Sequence, residues 1–399
     1  MSKALGRGRL LHRTEVAKLP CNRFLKGIAF DHPPIQSRNA IVRYSRQGPV
    51  LKSVRGSKDQ PGEIRVVKLE DVARRAGCSV ATASRVLNGN PKVGQVERER
   101  VLAAATQLGY VPNNSARALR AQSTRLIGVI IPTLDHAIYA KMVDGLQDRL
   151  AEVGISVIIN TSGYDLDREQ HQARLLVGRG VEAIVMVGSE HHPELADHLQ
   201  RSGIAQVFTY TNELGSGDAA VGFDNYASGA SVARFLLDLG HRSFGMIAGV
   251  TRGNDRARQR RDGFVETLLT ANVARGDIVV IEAPYTIDHG RAGMQSLMQT
   301  FPRPTAVFCG SDILAVGAVK YCQVAGISIP EEVSIVGFDN LEVAQLTTPE
   351  LTTVDVPARE MGEAAAQTLR DAPGSRPDRV IAPLQTRLIV RQSTGPARA

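Results

Sequence analysis

Between Val67 and Leu108 apolar residues recur at helical spacing in three short segments. Beyond Ser123 they switch to short continuous runs separated by amphipathic stretches. Leu69, Val72, Ala73 and Ala76 share one face of a first helix, and Gly77 can take the positive φ that ends it. Ser79 stands at an N-cap position, where its oxygen can accept a free backbone N–H of the next helix. Ala83, Val86 and Leu87 form a second apolar stripe, while Val80, Ala81, Thr82, Ser84, Arg85 and Asn88 occupy the opposite face. Val96, Val101, Ala104, Ala105 and Leu108 give a third helix, closed by Gly109. The first two helices read either as an ordinary helical hairpin or as a helix-turn-helix. An outer face of small residues with one Arg suits the major groove of DNA, where each base pair shows its own edge pattern.

From Ser123 the pattern alternates strand and helix. Strands are expected at Leu126–Ile131, Ile155–Asn160, Val181–Val187, Ile204–Thr209, Ala219–Phe223, Ser243–Ala248, Ile278–Glu282 and Ala306–Cys309. Between them lie expected helices near 137–153, 167–178, 193–201, 227–239, 258–270 and 289–298. Strands apolar on both faces, joined by helices, predict parallel sheets covered on both sides. The rhythm restarts after Phe223, so two similar α/β lobes are expected rather than one large sheet.

Charge is unevenly placed along the 399 residues. Residues 1–62 hold 13 Lys and Arg against 3 Asp and Glu, residues 63–122 hold 10 against 5, and residues 123–399 hold 25 against 32. The basic end suits a polyanion and the acidic remainder a cytosolic body. Residues 1–62 show no helix or strand period and are expected to form a mostly disordered extension. That segment either adds nonspecific attraction to DNA phosphates or reflects a start codon assigned too far upstream. No apolar run reaches membrane-spanning length, and no secretory signal opens the chain. Cys21, Cys78, Cys309 and Cys322 are scattered without metal-ligand or CxxC spacing, as expected for reduced thiols in the cytoplasm. No Gly-x-Gly-x-x-Gly follows the first strand, and no P-loop or nucleophile elbow is present, which argues against an enzyme. No cofactor, metal site or catalytic residue is expected.

The run Ser79-Val80-Ala81-Thr82-Ala83-Ser84-Arg85-Val86-Leu87-Asn88, followed by Leu108-Gly109-Tyr110-Val111-Pro112-Asn113, resembles the lactose-repressor (LacI/GalR) family of transcription regulators. The resemblance runs from Val67 to Arg391. It implies an N-terminal helix-turn-helix DNA-binding domain (63–112), a hinge helix (113–122), and a type I periplasmic-binding-protein-like body of two Rossmann-like lobes (123–395). The family's three crossings between lobes map near 221–225, 329–330 and 356–359. Lobe one is then expected to be 123–222 with 330–356, and lobe two 223–329 with 357–395. A periplasmic sugar-binding protein shares this body, but it would need an export signal and would lack residues 67–121.

The resemblance also assigns roles. Val80, Ala81 and Arg85 face base edges, Arg85 having the geometry to pair bidentately with guanine. Many relatives carry polar residues at the positions of Val80 and Ala81. Ser79, Thr82, Ser84, Asn88, Tyr110 and Asn113 are expected phosphate contacts. Ala116 and Leu119 form the hinge, with a pair of Leu119 side chains wedged into the minor groove at the operator centre. In the cleft between the lobes, Thr133, His136, Tyr139, Tyr210, Arg260, Tyr285 and Asp312 match positions that touch a small effector: a sugar, a sugar acid or a related metabolite. Asp312 alternatively caps the following helix, and Arg260 stands beside Arg256, Arg258 and Arg261, which leaves its register open. His136, Tyr210 and Tyr285 serve equally well as plain wall. Gly222-Phe223-Asp224-Asn225 and Gly337-Phe338-Asp339-Asn340 read as turn and crossover motifs. The implied partners are double-stranded operator DNA, the effector and a second copy of the chain. The chain has no leucine heptads after its last strand, which favours a homodimer over a tail-made tetramer.

Overall fold

The computed structural model describes residues 67–111, 123–215, 218–371 and 380–398. The basic extension at 1–62 and the hinge at 113–122, with Asn113, Ala116 and Leu119, lie outside the described residues.

The first three helices follow the apolar spacing. Helix α1 spans Leu69–Ala76 and stops at Gly77, whose φ is 65°. Helix α2 spans Val80–Leu87, and the Thr82 N–H donates to the Ser79 hydroxyl oxygen at 3.0 Å, so Ser79 is the N-cap. Helix α3 spans Gln95–Leu108 and ends at Gly109, φ 63°. Val72, Ala73, Ala76, Ala83, Val86, Val101, Ala104 and Ala105 form one separate small core. So few and such small side chains leave this head only modest apolar burial to offset its ordering entropy.

The remaining chain builds two sheets. Sheet one contains β1 (Leu126–Ile131), β2 (Ser156–Thr161), β3 (Ala183–Val187), β4 (Ala205–Thr209), β5 (Ala219–Gly222) and β11 (Val380–Pro383), in the order β11-β5-β4-β3-β1-β2, all parallel. Its helices are α4 (Ala137–Ala151), α5 (Leu166–Gly178), α6 (Pro193–Arg201) and α11 (Ala358–Asp371). Sheet two contains β6 (Phe244–Gly249), β7 (Ile278–Ala283), β8 (Ala306–Cys309), β9 (Ser334–Asp339), β10 (Thr352–Asp355) and β12 (Arg387–Ile389), in the order β12-β10-β9-β8-β6-β7. Only β12 is antiparallel to its neighbour. Helices α7 (Asn225–Asp238), α8 (Asp255–Thr270), α9 (Ile287–Met298) and α10 (Asp312–Ala325) accompany this sheet. The expected doubly wound rhythm is therefore present, and the apolar strands fill cores on both sheet faces.

The sheets correct the expected lobe boundaries. Strands β9 and β10 lie in sheet two, so residues 330–356 belong to lobe two rather than lobe one. Helix α11 packs along α4, and β11 pairs with β5, so 357–383 belongs to lobe one. Only β12 and the C-terminal stretch return to lobe two. The crossings therefore fall near 222–225, 355–358 and 383–387, and none occurs at Ile329–Pro330. Local connectivity explains this. Strands β8 and β9 with α10 between them form one β-α-β unit, paired Ala306 to Ser334, and a short crossover returns the chain to the neighbouring strand.

Candidate functional site

Two constellations stand out: the outer face of α2 and the cleft between the sheets. On α2, Val80, Ala81 and Arg85 are exposed, Val80 at 40% despite being apolar. Among the described residues the Arg85 side chain has no hydrogen-bond or ion-pair partner. Thr82 and Ser84 are half-buried beside this face. The Asn88 amide donates to the Ser84 carbonyl at 2.8 Å, which fixes the end of the helix. Ser79 also meets the Thr82 hydroxyl at 2.9 Å, so its oxygen serves the cap first. Tyr110 packs against the head core. Val80, Ala81 and Arg85 thus share the exposed face of α2, with Thr82 and Ser84 beside it, while Ser79, Asn88 and Tyr110 also hold local structure.

The cleft has two connected parts. An outer mouth of about 960 Å³ is lined by Thr133, Tyr164, Asp165, Asp167, Glu190 and Arg252, among others. An inner chamber of about 40 Å³ is walled by Tyr139, Tyr164, Tyr210, Arg256, Arg260 and Asp339. His136, Tyr164, Asn254 and Tyr285 line both parts. The inner chamber holds about one or two waters at this size, so a sugar ring enters only if its walls move.

A polar network closes that wall. The Tyr139 and Tyr164 hydroxyls lie 3.3 Å apart, and the Tyr164 hydroxyl is 3.4 Å from His136 Nδ1. His136 Nε2 is 3.2 Å from the Tyr285 carbonyl oxygen, across the cleft. Burial lowers the pKa of His136 below its ordinary value, which favours the neutral ring. Tyr210 donates to the Ile138 carbonyl at 2.7 Å and is a fixed wall. Tyr164, Tyr210 and Asp339 take φ values of 62°, 59° and 110°. Left-handed backbone at non-glycine residues costs energy and concentrates at functional sites.

From lobe two, Arg260 donates from Nη1 to Asn225 Oδ1 at 2.7 Å and from Nη2 to the Tyr285 hydroxyl at 3.2 Å. Its guanidinium carbon sits 4.4 Å above the Phe338 ring, and its Nε is buried without a hydrogen-bond partner among the described residues. Arg256 donates from Nη1 to the Val187 carbonyl of lobe one at 2.9 Å and to Asp255 at 2.7 Å. Asp255 in turn accepts from the Ser189 N–H and hydroxyl of lobe one. Arg258 to Glu190, at 2.8 Å, adds a further bridge between lobes.

Six of the seven expected effector residues line the cleft: Thr133 in the mouth, Tyr139, Tyr210 and Arg260 in the chamber, and His136 and Tyr285 in both. Asp312 does not. It is fully buried, accepting from the Thr353 hydroxyl at 2.6 Å and the Leu341 N–H at 2.7 Å. It is not the helix cap either, because Ser311 takes that position and accepts from Leu314 N. Both oxygens of Asp312 thus tie α10 to the segments after β9 and in β10. The carboxylate at the chamber wall is Asp339, which has no hydrogen-bond partner among the described residues. Its Gly337-Phe338-Asp339-Asn340 motif is the turn expected from sequence, with Asp339 and Asn340 at φ 110° and 50°, and it also brings a carboxylate to the chamber, which was not expected. Burial, with the Asp312 charge adding to it, pushes the Asp339 pKa well above the usual carboxylate range. Tyr164 and Arg256 were also missed. The Gly163-Tyr164 pair in a strand-end loop is the sequence signal that marks the first. Arg256, one of four arginines within six residues, carries no distinguishing signal.

Among the described residues no helix is long and apolar enough to cross a membrane, and no cluster of His, Cys, Asp and Glu could hold a metal ion. Residues 68–113 match the lacI family of bacterial regulatory proteins, and residues 233–394 match a periplasmic binding protein-like domain. Catabolite control protein A of Priestia megaterium is 30% identical over 329 residues, spanning 82% of this chain and 99% of that protein. The ribose operon repressor of Haemophilus influenzae is 32% identical over 306 residues, spanning 75% and 90%. A LacI family transcriptional regulator from Silicibacter pomeroyi superposes with a TM-score of 0.75 at 27% identity, covering 82% of this chain and 99% of that one. A complex of the regulator CelR with cellobiose gives 0.60 at 28% identity, covering 82% and 99%. With both halves of the architecture matched and relatives aligned over nearly their whole length, the chain belongs to the LacI family of DNA-binding transcriptional regulators.

Proposed function

We propose that the chain represses transcription as a homodimer on a pseudo-palindromic operator, and that a small polyhydroxylated ligand between its lobes tunes that grip. The observation that carries this reading is the pairing of two features in one chain. One is Arg85 on α2, exposed and without a partner among the described residues; the other is a chamber whose polar walls come from both lobes. Arg85, with Val80 and Ala81, reads bases in the major groove. Thr82, Ser84, Asn88, Tyr110 and Asn113 set register on phosphates, assisted by Ser79. The two hinges order together over DNA, placing Ala116 and Leu119 in the minor groove.

The ligand lies between His136, Tyr139 and Tyr164 on one side and Arg260, Tyr285 and Asp339 on the other. Tyr285 offers an aromatic face, and Arg260 and Asp339 offer directed hydrogen bonds to hydroxyls. The cellobiose complex of a structural neighbour supports a sugar-like ligand. A molecule bonded to both lobes binds one lobe arrangement better than the other, and that difference is the coupling to DNA affinity. A repressor of chromosomal genes acts in the cytoplasm, and the free thiols Cys78, Cys309 and Cys322 suit that reducing compartment.

The test is anisotropy binding to a selected palindromic duplex, with random duplex as competitor, for the full chain and for Leu119→Ala. The wild type should prefer the palindrome, and the variant should lose most of that preference. An unchanged specific-to-random ratio in the variant removes the hinge role.

A further inference from the structure

Arg256 and Arg260 are four residues apart on α8, and both guanidiniums line the inner chamber. Both are buried, at 5% and 9% exposure. Two like charges on one helix face repel, and a buried charge costs more unless it is paired. Only one is paired: Arg256 holds Asp255, whereas Arg260 makes no ion pair among the described residues and bonds neutral partners, Asn225 and Tyr285. Neither is saturated. Arg260 Nε is buried without a partner, and only Nη1 of Arg256 is hydrogen-bonded among the described residues. Room for Arg256 is built into the backbone. Gly188, at φ 90°, lies so close to Arg256 Nη1 that a Cβ there would collide with it. The remaining chamber carboxyl, Asp339, has its pKa raised by burial and makes no hydrogen bond or ion pair to either arginine among the described residues.

We propose that the effector is an acidic polyol, a sugar acid or sugar phosphate, whose anionic group lodges between Arg256 and Arg260, with Arg256 setting the preference over neutral sugars. This rests on the reading of the inner chamber as the effector site. The anion accepts from the unused N–H groups of both arginines, while hydroxyls meet Asp339 and the Tyr285 ring stacks on the carbon skeleton.

Calorimetric titration of the full chain tests this with matched sets: hexoses and pentoses, their aldonic and uronic acids, and their phosphates. At least one acid or phosphate should bind about tenfold to a hundredfold tighter than its neutral parent, the scale of a hydrogen bond to a charged group. In Arg256→Gln that acid-to-neutral ratio should fall by about tenfold or more. If circular dichroism shows that variant unfolded, Arg256→Lys carries the test, because it keeps the charge but loses the fork, and the ratio should fall about threefold or more. Whether carboxylates or phosphates bind names the anion. Neutral sugars binding as tightly as their acids, no acid or phosphate binding at all, or an unchanged ratio in the folded variant each overturn the proposal. Parallel duplex binding separates the two readings. A neutral sugar that shifts DNA affinity defeats only the acidic ligand, whereas absence of any duplex preference defeats the regulator reading itself.

Discussion

The Tyr285 hydroxyl accepts an N–H from Arg260 at 3.2 Å, joining the loop after β7 to helix α8 inside the cleft. The ring reaches that point because residue 249, at the end of β6, is glycine. A Cβ built there would overlap the Tyr285 hydroxyl and ring edge. Gly249→Ala should therefore displace Tyr285, and calorimetry should show ligand affinity reduced about tenfold or more, since overpacking of this kind costs about 1–3 kcal/mol. Full ligand affinity in the alanine variant would show that the Tyr285 position is unimportant.

Arg85 is exposed on α2 and without a partner in the described residues. Arg85→Ala should cost about 1–3 kcal/mol of specific duplex binding, the range for a bidentate base contact. Binding to random duplex should weaken far less. Competition anisotropy at several salt concentrations measures both. Equal losses on specific and random DNA would make Arg85 a phosphate contact instead.

Ser79 holds the first turn of α2 through the Thr82 N–H at 3.0 Å. Ser79→Ala should destabilise the head by about 1 kcal/mol, read as faster hydrogen exchange of the amides of α2. Because α2 carries the reading face, DNA affinity should fall along with it. Unaltered exchange in α2 would mean that the cap contributes nothing.

Asp312 is completely buried, and burial raises its pKa to about 7. The folded chain therefore holds this proton more tightly than the unfolded chain does. Stability from this group is present at low pH and is lost as pH rises from the ordinary carboxylate range through about 7. Compared with Asp312→Asn, the wild type should gain relative melting temperature as pH falls from 8 toward 5. A wild-type-minus-variant difference independent of pH contradicts the raised pKa.

The head could be read from sequence because each signal was local: apolar spacing, Gly77 and Gly109 as stops, Ser79 as cap. The first eight strand positions in the body were equally local, down to Ala306–Cys309, whereas β9 to β12 were not read from the sequence. Which sheet a strand joins was not local. Residues 334–339 and 352–355, the latter Thr-Thr-Val-Asp, carry no long apolar run to mark them, and pairing of β9 to β8 and of β10 to β9 decides their sheet through contacts that composition does not encode. The carboxylates failed for a related reason. Asp312 follows β8 and Asp339 ends β9, both in sheet two. Side-chain direction alone sends one into the packing between α10 and β10 and the other to the chamber wall. Tyr164 and Arg256 were hidden because their value lies in proximity to residues far away in sequence, His136 and Val187 among them.

Selection of bound duplexes from a randomised library by the purified full chain, with and without sugars and sugar acids, is the most direct measurement. Twofold-symmetric sequences should be enriched, and a ligand that occupies the chamber should change the retained fraction. A retained pool no different from the input, under every ligand condition, would contradict regulation of a symmetric operator by a metabolite between the lobes.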